Sequence, residues 1–283
     1  MKKKARLALL AALACAALLL LPGHRLRVTK LTLDTPGLTA PLRAVQLSDL
    51  HNSRFGEGNS RLLELVRAQA PDLILVTGDM VNGWQEDTGI ALQLMEDLCG
   101  IAPVYASYGN HEKQHEETFG GSLQAAYEAA GATVLEGAYR DIDVNGQAIR
   151  IGGIYGYCLP ESALATGEAS RAECAFLRAF QQTDALTILL CHMPVSWLEY
   201  GSLQAWDVDC VFSGHAHGGQ IVLPGLGGLY APDQGWLPGR VSGLFCREGR
   251  RLVVSSGLGG GFPVPRINND PEVIVVDFVP AQQ

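Results

Sequence analysis

Five short clusters in this 283-residue chain carry most of its histidine. They are Ser48-Asp49-Leu50-His51, Thr77-Gly78-Asp79-Met80-Val81-Asn82, Gly109-Asn110-His111-Glu112, Cys191-His192 and Gly214-His215-Ala216-His217. Of the seven histidines, only His24 and His115 lie elsewhere. A lone histidine is more often structural than a ligand. Five of them beside Asp49, Asp79 and Asn110 form a different kind of set, mixing imidazole, carboxylate and amide oxygen. Without paired thiolates, such donors suit borderline to hard divalent cations: Mn, Fe, Zn or Co. Seven or eight donors exceed what one ion needs, so two metal ions are implied. A pair about 3.5–4 Å apart needs a shared carboxylate to screen their repulsion, and such pairs serve phosphoryl chemistry.

Positioning these groups requires elements that end together. Strand-like runs are predicted at 42–48, 72–77, 104–107, 186–190 and 208–213, and each leads into one of the clusters. Helical patterns are predicted at 61–70, 90–99, 122–130 and 170–181, and Asn145-Gly146 signals a hairpin. Residues 219–279 read as mostly β, closing on a strand at 272–278. The alternation defines an α/β chain with mixed sheets and no internal repeat. In α/β sheets ligands bind beyond the carboxyl ends of strands, so the five loops are expected to converge on one edge.

Taken in order, Asp49-x-His51, Gly78-Asp79, Gly109-Asn110-His111-Glu112, His192 and Gly214-His215-x-His217 resemble the motif blocks of the calcineurin-like metallophosphoesterase superfamily, over about residues 42–220. Gly218-Gly219-Gln220, Gly257-Leu258-Gly259 and the stretch 265–272 resemble its membrane-linked bacterial phosphodiesterase branch. Some members of that branch act on lipid-precursor pyrophosphates. The resemblance implies a four-layer αββα sandwich of two mixed sheets. It implies that Asp49, His51, Asp79 and His217 hold one metal, and that Asp79, Asn110, His192 and His215 hold the second, with Asp79 bridging. A hydroxide between the metals would attack phosphorus in line. Asn110 and His111 would be the catalytic pair, His111 protonating the leaving oxygen or resting against the phosphate.

One position departs from the family pattern. The second block commonly ends in an aspartate that orients the histidine of the Gly-Asn-His block, and here that place is Asn82. An amide oxygen still accepts a bond from His111 but supplies no negative charge. The expectation is a weaker general acid and a preference for good leaving groups such as pyrophosphate or aryl esters. Glu112 is expected to support neighbouring ligands. Asn52 and Arg54 are expected either to contact substrate or to sit in a solvated loop. Arg266 is expected to meet a phosphate or to form a structural ion pair. Trp84, Trp197, Trp206 and Trp236 read as core or rim residues.

Composition bounds the rest. The chain is 47% hydrophobic and 18% charged, enough for a sizeable core and unlike a disordered tail. Its 33 glycines follow no G-X-Y period and gather beside Asp, Asn and His, as tight turns at a site would require. Seven of the 21 basic residues fall in the first 30 positions, which hold no acidic residue. The remainder carries 14 basic against 29 acidic residues, a formal charge of −15. No nucleic acid partner is expected for so acidic a body. Seven cysteines without a CxxC spacing read as reduced, buried small hydrophobes.

The N-terminus reads as an address. Leu7 to Leu21 is an unbroken apolar run of 15 residues behind Lys2-Lys3-Lys4-Ala5-Arg6. That length suits a signal-peptide core or an uncleaved signal anchor better than a comfortable span of about 20 residues. The expected organisation is an anchor or signal peptide at 1–27, a linker at 28–40 and one metallophosphoesterase domain at 41–283. The expected protein is a cell-membrane phosphoesterase with an extracytoplasmic catalytic body. Its substrate would be a phosphodiester or pyrophosphate, with lipid-linked phosphate esters in view. A broad phosphomonoesterase or nucleotidase stays open, as does a metal-stabilised binding module without turnover. The oligomeric state is open too.

Overall fold

Aliphatic runs of four to six residues build the sheets, and their two faces serve different cores. The computed structural model describes residues 25–260 and 264–281. In chain order the first half contains β1 (Arg27–Thr35), β2 (Leu42–Leu47), α1 (Ser60–Arg67), β3 (Leu73–Val76), α2 (Gly89–Cys99), β4 (Val104–Ala106), α3 (Asn110–Phe119), α4 (Leu123–Ala129) and β5 (Thr133–Val134). Then follow β6 (Ala138–Val144), β7 (Gln147–Gly153), α5 (Arg171–Phe180), β8 (Leu186–Leu190), α6 (Val195–Glu199), α7 (Ser202–Ala205) and β9 (Cys210–Ser213). Four two-residue strands come next: β10 (Val222–Leu223), β11 (Gly227–Gly228), β12 (Tyr230–Ala231) and β13 (Gly235–Trp236). The last strands are β14 (Gly243–Arg247), β15 (Arg250–Val254) and β16 (Glu272–Pro280).

Two six-stranded mixed sheets result, ordered β1-β16-β2-β3-β4-β5 and β14-β15-β9-β8-β7-β6. Strands β2 to β5 run parallel, as do β7, β8, β9 and β15. Alternation along each strand sorts the layers. Leu73 and Leu75 of β3 pack with Ile188 and Leu190 of β8 and with Cys210 and Phe212 of β9, between the sheets. Ile74 and Val76 face the other way, onto Leu62, Leu94 and Leu98 of α1 and α2. Leu189 and Val211 pack against Leu177, Phe180 and Trp197 of α5 and α6. Helices therefore cover both outer faces, and the architecture is the expected αββα sandwich.

Two stretches differ from expectation. Residues 28–40, read as a linker, carry β1, which pairs in parallel with β16 from Arg27↔Glu272 to Thr35↔Pro280. The alternation Leu31, Leu33, Thr35 turns one face of that strand inward, and its remaining polarity reflects an edge strand exposed on the other face. The first described strand thus opens at Arg27, within the stretch read as anchor and linker. Helix α3 was not anticipated, because Asn110-His111-Glu112-Lys113-Gln114 lacks the apolar stripe by which helices are recognised. The apolar run at 7–21 lies outside the described residues. Among the described residues, no helix is long and apolar enough to cross a membrane.

Candidate metal centre

All five clusters leave the carboxyl ends of parallel strands: β2, β3 and β4 in one sheet, β8 and β9 in the other. The buried side chain of Gln46 ties the two sheets directly below, donating to Thr77 Oγ1 at 3.0 Å and to the Ser213 carbonyl at 2.9 Å. Beyond that link three groups of ligand atoms gather, each within 4.8 Å of one another: Asp49, His51 and His217; His51, Asp79 and His111; and Asp79, His192 and His215. Six of the seven sequence-predicted ligands, all but Asn110, are therefore brought together in these groups, with His51 and Asp79 shared between them.

Asp79 is held by one oxygen and offers the other, whereas Asp49 meets the His215 N–H with both of its oxygens. Asp79 Oδ1 accepts from the His111 backbone N–H at 2.8 Å. Its Oδ2 lies 3.1 Å from His192 Nε2, 3.7 Å from His51 Nε2 and 3.9 Å from His111 Nε2. Asp49 Oδ1 accepts from the His215 N–H at 3.0 Å and sits 3.6 Å from His217 Nε2. The backbone could not approach so closely with larger residues in two places. A Cβ on Gly109 would meet Asp79 Oδ1 at 2.2 Å, and one on Gly214 would meet Asp49 Oδ2 at 2.3 Å.

Left-handed backbone concentrates here. Asp49, His51, Asp79, His215 and His217, five of the seven predicted ligands, all have φ between 46° and 66°. Non-glycine residues in that region cost on the order of 1 kcal/mol each and persist where the surroundings over-determine them. For Asp79 that determination comes from Glu112, which is fully buried. Its Oε2 accepts the N–H groups of Asp79 and Gly109, both at 2.8 Å, and its Oε1 accepts those of Met80 at 2.8 Å and the Tyr127 hydroxyl at 3.1 Å. Glu112 thus staples the Asp79 loop to the first turn of α3 rather than touching a ligand side chain. Burial and the nearby Asp79 charge raise its pKa, against the pull of these bonds.

The residues present fit divalent cations. Asn110 Oδ1 is buried with no hydrogen-bond partner, the state expected of an oxygen meant for a cation. His192 Nδ1 donates to the Thr77 carbonyl at 2.6 Å, so its Nε2 is the free ligand nitrogen. That Nε2 makes no properly directed hydrogen bond, although Asp79 Oδ2 is near. Burial alone would lower the His192 pKa, but Asp79 and Asp49 outweigh it and push it up to about 10. The space between His192 and Asp79 therefore demands positive charge. His51, by contrast, is driven down to about 3 by burial and His217 lies well below its usual value, leaving neutral imidazoles suited to ligation.

Several expectations need correction. Asn82 does not bond His111: its amide donates to the His51 carbonyl at 3.1 Å and to Gln85 Oε1 at 2.8 Å. The partner of His111 is the Gly83 N–H, which donates to Nδ1 at 3.0 Å. With Nδ1 accepting, the ring's proton sits on Nε2, the atom facing the cluster. Burial also lowers the His111 pKa. Asn52 donates to Gln85 Oε1 and to the Asp87 carbonyl, both at 3.1 Å, and so braces a loop; Arg54 is exposed beside it. Arg266 is buried, yet among the described residues it forms no ion pair: it donates to the carbonyls of Gly259 at 2.7 Å and Ser256 at 2.6 Å, next to His217. Trp197 and Trp206 belong to the core, whereas Trp84 and Trp236 line the mouth of the site.

Sequence reasoning missed Asp233. Its Oδ2 lies 3.2 Å from His215 Nε2 and accepts the Tyr157 hydroxyl at 3.2 Å, leaving His215 Nδ1 for a cation. The hydrogen bond with His215 holds its pKa below the usual value. No local signal marked it, since it sits in a turn between β12 and β13 without a motif.

Comparison with known proteins agrees with this geometry. Residues 42–219 match the profile of the calcineurin-like phosphoesterases. Over 257 residues the chain is 27% identical to the uncharacterized metallophosphoesterase Cj0846 of Campylobacter jejuni, covering 89% of this chain but only 63% of that longer relative. It is 28% identical over 245 residues to the phosphodiesterase YaeI of Escherichia coli, covering 85% of this chain and 83% of YaeI. It is 25% identical over 312 residues to the UDP-2,3-diacylglucosamine pyrophosphatase LpxG of Chlamydia muridarum, covering 90% of both.

Two outcomes follow from the geometry. Glu112→Gln turns an amide N–H₂ toward backbone N–H donors, so denaturant unfolding should show a loss of about 3 kcal/mol; an unchanged midpoint would remove the staple. Asp233→Ala should weaken Mn²⁺ binding by about tenfold or more, read by calorimetry, while the melting temperature of the metal-stripped protein stays within a few degrees.

Proposed function

This chain belongs to the calcineurin-like phosphoesterase family, and from that premise we propose that it is a membrane-associated enzyme using two divalent cations to cleave a diester or pyrophosphate bond with a good leaving group. That it is a metal-dependent hydrolase of phosphoric esters follows from the family. The observation that carries the two-ion reading is Asp79 Oδ2, set among three imidazole nitrogens and common to two ligand groups. Asp49, His51, Asp79 and His217 would hold one ion, and Asp79, Asn110, His192 and His215 the other. Bound there, such ions activate water and neutralise phosphoryl charge, which lets an acidic body accept an anion.

The leaving-group preference rests on His111. Its Nδ1 accepts the Gly83 N–H, so the neutral ring presents Nε2–H as a hydrogen-bond donor. A neutral imidazole gives that proton up only at great cost, and so His111 orients and stabilises a phosphoryl oxygen instead of protonating an alkoxide. A leaving group must then depart as a stable anion, as a phosphate or an aryloxide does.

Beside the ligands opens a cavity of about 520 Å³, whose walls include Trp84, Leu229, Tyr230, Pro232, Trp236 and Val264. Cavities of this size accept a small organic group, and apolar walls select an apolar one. They support a phosphate ester carrying a hydrophobic moiety. The apolar run at 7–21 supports an N-terminal membrane anchor with the catalytic body outside the cytoplasm, and the likeness to a phosphodiesterase and to a lipid pyrophosphatase supports the bond type.

Bis-p-nitrophenyl phosphate and p-nitrophenyl phosphate, offered to the full chain in detergent before and after metal stripping, test the reading. Cleavage should require added Mn²⁺, favour the diester and vanish in Asp79→Asn; faster monoester cleavage would make the enzyme a phosphomonoesterase or nucleotidase. His111→Ala should lower kcat about 100-fold and by the same factor for p-nitrophenyl and phenyl esters. A penalty growing with leaving-group pKa would restore His111 as the acid.

A further inference from the structure

Between His217 and β14 the chain makes a 20-residue excursion, 221–240, whose only charged residues are Asp233 and Arg240. Both are engaged: Asp233 with His215 and Tyr157, Arg240 with the Leu198 carbonyl at 2.9 Å. The excursion is folded as two tiny hairpins, β10–β11 and β12–β13, with the Tyr230 and Trp236 rings edge to face at 5.4 Å. Ala231 and Pro238 are buried, but its largest apolar side chains are mostly exposed. Leu226 is 69% exposed, Trp236 74% and Leu237 57%, and Tyr230, Trp84 and Val264 are exposed at the cavity mouth. Four of the ten large exposed hydrophobics among the described residues, Trp84, Tyr230, Trp236 and Val264, thus line one opening, and Leu226 and Leu237 lie on the same excursion. Scattered apolar residues need no explanation, but a contiguous group marks an interaction surface.

The chain also enters the fold at this edge. Asn269 donates to the His217 carbonyl at 2.7 Å, and the next residue, Asp270, accepts the Arg25 N–H at 3.3 Å. Arg27 then opens β1 beside Glu272. Leu21, the last residue of the 15-residue apolar run, lies six positions before Arg27. Six extended residues reach about 20 Å, so whatever holds the run at 7–21 also holds the mouth of the site close by.

We infer that this rim is a bilayer-docking face, with Leu226, Tyr230, Trp236 and Leu237 seated in the lipid interface and the metal centre opening onto it. The inference rests on the membrane-associated reading above. Tryptophan and tyrosine favour the membrane interface, where the ring is apolar and its edge polar. A second copy of the chain is a poorer occupant, because it would bring together two bodies of formal charge −15. Docking of this kind is hydrophobic, needs no anionic lipid and withstands salt. A substrate with its apolar part in the membrane and its phosphate at the surface would then reach the ligands without leaving the bilayer.

Tryptophan fluorescence of the full chain in phosphatidylcholine vesicles, with and without brominated acyl chains, tests the inference. Trp197 and Trp206 are buried and supply the unquenched background. Emission from Trp236 should be lost in brominated vesicles at low and high salt, and Trp236→Phe should remove the quenchable component. Leu226→Glu with Leu237→Glu, residues outside the site, should abolish the quenching yet leave Mn²⁺-dependent hydrolysis of the soluble diester unchanged. Vesicle-bound protein with unquenched Trp236 overturns the docking face while the anchor stands. A chain that stays in solution overturns both the face and the anchor, and one that shields Trp236 only on self-association assigns the rim to a second copy. Retained diester hydrolysis in either case leaves the phosphoesterase reading intact.

Discussion

A single buried carboxylate holds the site in shape. Glu112 gathers the backbone N–H groups of Asp79, Met80 and Gly109 and the hydroxyl of Tyr127 around two oxygens. The N–H donors belong to the loops after β3 and β4, and the hydroxyl to α4. A charged acceptor bonds backbone donors about twice as strongly as a neutral one, so the desolvation of Glu112 is offset where it matters. Once those loops are joined, the His111 N–H reaches Asp79 Oδ1, and the carboxylate's other oxygen is left facing the histidines.

The staple holds one strained ligand, Asp79, directly, and the loop of Asp49 and His51 bonds back to the Gly78 and Asp79 carbonyls at 3.0 Å. Five ligands with left-handed backbone represent several kcal/mol in total on the usual scale. Such conformations turn side chains inward within a two- or three-residue span, which regular strand geometry cannot do. Gly109 and Gly214 are the counterpart, because their missing side chains let Asp79 and Asp49 approach the neighbouring loop. Strain and close approach are two sides of one requirement: ligands from both sheets must converge within a few ångströms.

The chemistry and the surroundings divide the recognition of substrate. Carboxylates and neutral imidazoles prepare a place for cations, and cations in turn recognise phosphate, so an acidic protein needs no basic groove. In the proposed reading, selectivity falls to the apolar wall built by Trp84, Leu229, Tyr230 and Trp236, and to a His111 whose ring is oriented by a backbone donor. Both features would then favour an ester whose leaving group needs no proton and whose remaining bulk is hydrophobic.

The sequence by itself marked the candidate ligands and their order. Asp49, His51, Asp79, Asn110, His192, His215 and His217 follow short aliphatic strands, and parallel strands deliver their following loops to one edge whatever the intervening chain does. The short apolar runs of β3, β8 and β9 likewise announced strands, and near-continuous runs of this kind suit burial on both faces. Only the tertiary structure decided which partner each group meets. Asn82 looked like the companion of His111, but the turn carries its amide to the His51 carbonyl and brings the Gly83 N–H to the ring instead. Asp233 carries no motif and reaches His215 only because the β12–β13 turn folds back over β9's loop. Strand β1 was hidden by its polar outer face, and α3 by a first turn devoted to Asn110, His111 and Glu112 rather than to a core. Residue type and spacing are local properties, legible wherever chemistry demands a particular donor. Hydrogen-bond partners and exposed rims depend on distances between segments far apart in the chain, which arise only when the two sheets pack.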